Sequence, residues 1–213
     1  MSFWSYIFPQ QIAVFNSPKN GDILVTESFG KRYLEAGGLM QSGPFLERIW
    51  SKGIAKLGLD VSQLHRVLIL GLAGGSFARV ISKLSPITKI AGVDIDAVMV
   101  EAGKDYLGLS SIPNLTIHIG DAKKFVTLAT NKMKYDLIFV DLYQGYTIPP
   151  FAEKTSFLLQ LKKLLSPNGS VIFNRIYFRQ YKIPARAFLH QLETIAREVN
   201  STKVYSNLLI QIR

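Results

Sequence analysis

Cysteine is absent from this chain of 213 residues, histidine occurs three times, and 15 acidic residues face 25 Lys and Arg. The first absence excludes a disulfide framework, a thiol nucleophile, an iron–sulfur cluster and every thiolate zinc site. It permits a reducing setting, and a cytoplasmic location is the expectation. His65, His118 and His190 fall at a strand start, on a strand and on a helix, with no ligand spacing among them, so no metal is expected. His118 reads as a half-buried structural residue. No apolar run approaches the roughly 18 residues that span a bilayer, because Arg, Lys, Gly or Pro breaks each one. The shortage of acids leaves a formal charge of +10, which points to an anionic partner or simply to a solubilising surface.

What is present can build a core. Hydrophobic residues make up 48% of the chain and charged ones only 19%, enough to offset the entropy of ordering one domain with a small appendage. The apolar start, MSFWSYIFPQQIAVF, lacks a basic leader and a small-residue cleavage site, and reads as a docked arm rather than a secretion signal. Residues 1–43 carry early turn signals, SPKNG, Gly37–Gly38 and Ser42–Pro44, and read as a small β-rich region with ILVTES and KRYLEA as a hairpin. Pro44 then opens a helix with Leu46, Trp50, Gly53, Ile54 and Leu57 on one stripe.

From residue 66 the chain alternates. RVLIL, KIAGVD, LTIHIG, YDLIFVD and SVIFN read as buried strands separated by helices, and KVYS and LLIQIR as a closing antiparallel hairpin around Asn207. A helix through Phe157, Leu158, Leu161, Leu164 and Leu165 stops at SPNG, and another is expected near 185–199. The expected fold is therefore α/β, a doubly wound, mostly parallel seven-stranded sheet over residues 44–213.

Such a sheet takes its ligand beyond the carboxyl ends of its strands. Four strand ends carry candidates: the turn Gly71 to Ser76, Asp94, Gly120-Asp121-Ala122, and Asp141. Asp94 lies near the spacing at which an acid takes ribose hydroxyls. Glycine turns also serve ordinary strand-to-helix corners, and Asp96 and Asp121 each suit a helix N-cap, Asp96 above all. A dinucleotide fingerprint wants glycine where Ala73 and Ser76 stand, and no GK[ST] follows, so an adenosine with a sulfonium chain fits better than NAD or a nucleoside triphosphate. No GxSxG elbow appears.

The stretch Val67 to Asn174, and more loosely the chain from about Asn20, resembles the spermidine-synthase-like branch of the S-adenosylmethionine-dependent methyltransferase superfamily. The matching pieces are VLILGLAGGS, GVDID, IGDAKKF, YDLIFVDLYQGYTIPP, LKKLLSPNGSVIFN and LMQSG. The resemblance implies a Rossmann-like methyltransferase sheet and a donor that is S-adenosylmethionine or its decarboxylated form. It makes Asp94 the ribose contact, Ile95 a further donor-binding residue, Asp121 with Ala122 the adenine contact, and Gly71, Ala73 and Gly75 the backbone floor. Asp141 becomes the carboxylate at the reacting centre, with Gln41, Tyr143, Gln144 and Tyr146 around a small-molecule acceptor. It also suggests a homodimer through the N-terminal region.

Two positions depart from the family. Gly74 replaces an acid that holds the donor's free amine, and Gln144 replaces one that holds the far amine of a diamine. The expected reaction is therefore methyl transfer, with Gly74 leaving room for the donor's carboxylate. Aminopropyl transfer to an atypical amine is the alternative. A nucleic-acid role is a further one, resting on the charge and on the stretch Arg175, Tyr177, Phe178, Arg179, Tyr181, Lys182 and Arg186, which equally suits a partly packed connection.

Overall fold

The structure, a computed structural model, describes residues 3–129 and 133–213, so the first two residues of the expected N-terminal arm lie outside the described residues. The N-terminal region is larger than one hairpin. Four antiparallel strands follow in chain order, β1 (Gln10–Ser17), β2 (Gly21–Ser28), β3 (Lys31–Ala36) and β4 (Leu39–Ser42). Part of the expected arm is strand β1 because Ala13 and Phe15 alternate onto the face that buries Ile23, Val25 and Leu34. Gly37 and Gly38, at φ 57° and 74°, form the tight two-residue turn that makes LMQS a strand rather than a loop.

Helix α1 (Pro44–Lys56) follows, with proline in its first turn as the sequence suggests. The remaining elements alternate: β5 (Arg66–Leu70), α2 (Ser76–Leu84), β6 (Lys89–Asp94), α3 (Ala97–Leu107), β7 (Leu115–Ile119) and α4 (Ala122–Leu128). Then come β8 (Tyr135–Val140), α5 (Thr155–Lys163), β9 (Leu165–Ile176), α6 (Lys182–Ile195), β10 (Val199–Val204) and β11 (Asn207–Ile212). The seven strands lie in the order β10-β11-β9-β8-β5-β6-β7, parallel from β9 to β7 and antiparallel through β11 and β10. Helices cover both faces, which is why β5 and β8 read as nearly unbroken apolar runs. Trp50, Phe77 and Ile81 fill one face, and Leu158, Phe188 and Leu192 the other.

Local departures from the sequence reading have physical causes. Extended chain takes over at Leu165, ahead of the stop signal, because Gly169 lies against β8 so closely that a Cβ would come 2.7 Å from the Tyr135 carbonyl oxygen. Helix α6 begins and ends earlier than 185–199. The closing hairpin turns at Tyr205–Ser206 rather than at Asn207, which pairs with Val204. His118 is exposed on the edge strand β7, with the Phe125 ring 5.1 Å from its own. Among the described residues no helix is long and apolar enough to cross a membrane.

Asp96 joins the two sheets. Its Oδ1 accepts from the amides of Val98 and Met99 at the start of α3, and its Oδ2 from Ser17 Oγ and Asn20 Nδ2, each at 2.6 Å. Asp96→Ala is expected to cost about 2 kcal/mol in urea denaturation, from the lost cap and the two donors left unpaired.

Candidate active site

The sheet reverses its winding between β5 and β8, with β6 and β7 to one side and β9, β11 and β10 to the other. Open α/β sheets take ligands at such a reversal. A cavity of about 400 Å³ lies there, within the ordinary range for small-molecule sites. Gly71 forms its floor at φ +90°. A Cβ at that position would strike the Asp141 carbonyl oxygen, so only glycine allows the ends of β5 and β8 to meet this closely.

The next turn of chain is held by Asp94. Its Oδ2 accepts from the Ala73 amide at 2.7 Å and its Oδ1 from the Asp96 amide at 2.9 Å. Ala73 sits in the left-handed region at φ 46°, a conformation that costs a non-glycine residue roughly 1–2 kcal/mol. The hydrogen bond to Asp94 helps to hold it there. Burial pushes the Asp94 carboxyl above its usual range, and the two backbone donors pull it back in part. Asp121 is an N-cap as well as a cavity residue: its Oδ1 accepts from the amides of Lys123 and Lys124 at 2.6 and 3.1 Å.

Asp141, at the end of β8, stands between the two halves of the cavity. Asn207 Nδ2 donates to Asn174 Oδ1 at 2.8 Å, and Asn174 Nδ2 donates to Asp141 Oδ1, also at 2.8 Å. Among the described residues nothing donates to Asp141 Oδ2. Burial pushes the Asp141 carboxyl up to about 6; the Asn174 hydrogen bond and the nearby Arg175 guanidinium lower it, and Asp94 adds to the rise. Arg175 is itself buried behind this wall. Its guanidinium lies 3.8 Å above the Phe188 ring, Nη1 donates to Asn174 O at 2.9 Å, and Nη2 lies 3.6 Å from Glu153.

Of the residues singled out from the sequence, Gln41, Gly71, Ala73, Asp94, Ile95 and Asp121 all line this cavity. So do Ala122, Asp141, Tyr143 and Gln144. Gln144 Nε2 donates to the Lys19 carbonyl at 2.9 Å, and the Tyr143 hydroxyl accepts from the Ile176 amide at 2.8 Å. Burial raises the Tyr143 phenol, so it stays protonated. Gly75 and Tyr146 stand back from the cavity. Gly75, at φ +84°, caps α2, where a Cβ would strike Leu109. Tyr146 stacks on Tyr181 at 5.1 Å, behind the wall residue Phe178. Tyr181 in that stack and Tyr177, which accepts from Arg186 Nε at 2.7 Å, make the basic-aromatic stretch partly packed.

One expectation is overturned. Gly74 leaves no room for a ligand: a Cβ there would meet Leu34, Ser42 and Leu107 at 2.8 to 2.9 Å, and its amide donates to Ser42 Oγ at 2.8 Å. The N-terminal sheet and α3 fill that space, and the position forms no part of the cavity wall. Sequence reasoning also missed Asn174 and Asn207 as site residues. Asn174 lies two residues before the end of β9, the strand beside β8, so the strand-end rule comes near it, whereas nothing near Asn207 in sequence signals its role.

A reversed α/β sheet with three carboxylates facing one strand-end cavity defines a Rossmann-like fold of the methyltransferase type. Over residues 47–205 the sequence matches the spermine/spermidine synthase domain, and the chain belongs to that family. It is 34% identical over 111 residues to a polyamine aminopropyltransferase from Vibrio vulnificus, covering 52% of this chain and 37% of the relative. It is 33% identical over 119 residues to an eEF1A lysine and N-terminal methyltransferase from Bos taurus, covering 52% and 17%. The chain thus spans well under half the length of these curated relatives. Among solved structures, a probable spermidine synthase from Corynebacterium glutamicum superposes with a TM-score of 0.78 at 17% identity, over 94% of this chain and 79% of the other. A spermidine synthase in complex with the transition state analogue AdoDATO gives 0.76 at 15% identity, over 95% and 72%.

Proposed function

We propose that this chain is a transferase that uses an S-adenosylmethionine-type sulfonium donor and moves a methyl group to a small acceptor at Asp141. The observation that carries the reading is the convergence of Asp94, Asp121 and Asp141, from the ends of three successive parallel strands, on one cavity. The residues suit that donor. Asp94 offers acceptors for ribose hydroxyls beside the Gly71 turn, while Ile95, Asp121 and Ala122 flank the place for an adenine. When bound, the donor supplies an alkyl group on a cationic sulfur, a good leaving group.

The chain's own part is positioning and one proton. Asp141 accepts the proton released by the attacking nucleophile, with its Oδ1 fixed by Asn174 and its Oδ2 free to receive it. Tyr143, Gln144 and Gln41 border the acceptor, and Tyr146 braces that wall from behind. The family and the named aminopropyltransferase relatives favour a second reading, aminopropyl transfer from decarboxylated S-adenosylmethionine. Against it stands Gln144, a cavity residue in place of the acid that would hold the far amine of a diamine. Calorimetric titration with the two donors separates the readings. Methyl transfer predicts that S-adenosylmethionine binds at least as tightly as the decarboxylated form; a clear preference for the decarboxylated form overturns it.

A further inference from the structure

We infer that the acceptor is an uncharged, largely apolar molecule bearing one O–H or N–H nucleophile, and not a polyamine. The inference rests on the transferase reading and concerns the half of the cavity on the β9, β11 and α1 side of Asp141. Helix α1 turns Phe45, Leu46, Ile49 and Trp50 toward that half. Beside them the Phe77 and Phe139 rings stack at 3.8 Å and 4°, with the Trp50 ring edge-on to both at 6.4 and 5.2 Å. The apolar side chains on this side give a guest an apolar wall, which favours an apolar molecule over a charged one.

The two asparagines in this half are already paired. Asn174 uses its Nδ2 on Asp141 and its Oδ1 on Asn207, and Asn207 Oδ1 accepts from Ser206 Oγ at 3.4 Å. Among the described residues that line the cavity, the carboxylates are Asp94, Asp121 and Asp141, and the first two lie at the β6 and β7 ends, on the other side of the reversal. Among the described lining residues, Asp141 is the one carboxylate left for the acceptor. A diamine brings two ammonium groups with three donors each, and a desolvated ammonium without a carboxylate partner is strongly disfavoured. A neutral nucleophile asks for one acceptor, and Asp141 Oδ2 supplies it.

The test is calorimetry on the full chain saturated with S-adenosylhomocysteine, using 2-naphthol and putrescine as probes. The expected result is that 2-naphthol binds at least tenfold more tightly than putrescine. Phe45→Asp, at a cavity residue that is 38% exposed and so tolerant of a polar side chain, is expected to weaken 2-naphthol at least tenfold and to narrow or reverse the preference. The melting temperature of the variant verifies its folding. Tighter binding of putrescine, or binding of neither probe, overturns the inference. Failure of S-adenosylhomocysteine itself to bind overturns the donor reading instead, and the same two probes titrated into the free protein then decide the class of guest.

Discussion

Asp141→Asn is expected to lower the rate of group transfer by about a hundred- to ten-thousand-fold, the range for losing a positioned proton acceptor, while donor affinity changes little. Asparagine keeps an oxygen for the Asn174 amide, so the 2.8 Å hydrogen bond that fixes the side chain survives and only the basicity is lost. The pH profile gives the same residue a second signature. Activity requires the ionised carboxylate, so the rate rises through an apparent pKa of about 6 and levels off above it. Stability runs the other way. The folded carboxyl holds its proton up to about 6 against an ordinary 3.8, so its favourable contribution is full below 3.8 and is lost as pH rises through 6. Above that pH the buried charge costs about 2–3 kcal/mol, and the asparagine variant is expected to melt higher than the parent there and alongside it near pH 4. Equal melting temperatures at all pH values would remove the buried-charge account.

The second large effect belongs to Asp94. Asp94→Ala is expected to weaken S-adenosylhomocysteine on the order of a hundredfold in calorimetry, through the loss of charge-assisted hydrogen bonds to the ribose. It also releases the Ala73 amide, held at 2.7 Å, from a left-handed conformation that alanine does not favour. Asp94→Asn separates the two roles. It keeps one acceptor oxygen for the turn but loses the charge, so a deficit that persists in the asparagine variant belongs to the ligand, and one that is rescued belongs to the turn. Unchanged affinity in both variants would remove Asp94 from the donor site.

The sheet and its strand-end acids were legible in the sequence because both are local. RVLIL and YDLIFVD state their burial in five to seven residues, and Asp94, Asp121 and Asp141 stand in or next to the runs KIAGVD, LTIHIG and YDLIFVD. What could not be read depends on distant pairing. The relay to Asp141 needs β11 to lie antiparallel to β9, with Asn207 opposite Ile176, and nothing near Asn207 announces that partner. Gly74 misled for the same reason: its emptiness in sequence is filled in space by Leu34 from β3, Ser42 from β4 and Leu107 from α3. Strand β1 was hidden because its alternation is completed only by the face of the sheet it joins. The shortage of acids behind the +10 charge bears on the site through its lining, where Asp94, Asp121 and Asp141 are the carboxylates among the described residues.

A crystal structure of the full chain with S-adenosylhomocysteine tests the central claim most directly. The account predicts ribose hydroxyls within hydrogen-bond distance of Asp94, the adenine between Ile95 and Asp121, and the sulfur facing Asp141, with the aromatic half beside α1 left free. Density for the ligand outside this cavity, or with its ribose turned away from Asp94 toward the α1 side, would contradict it.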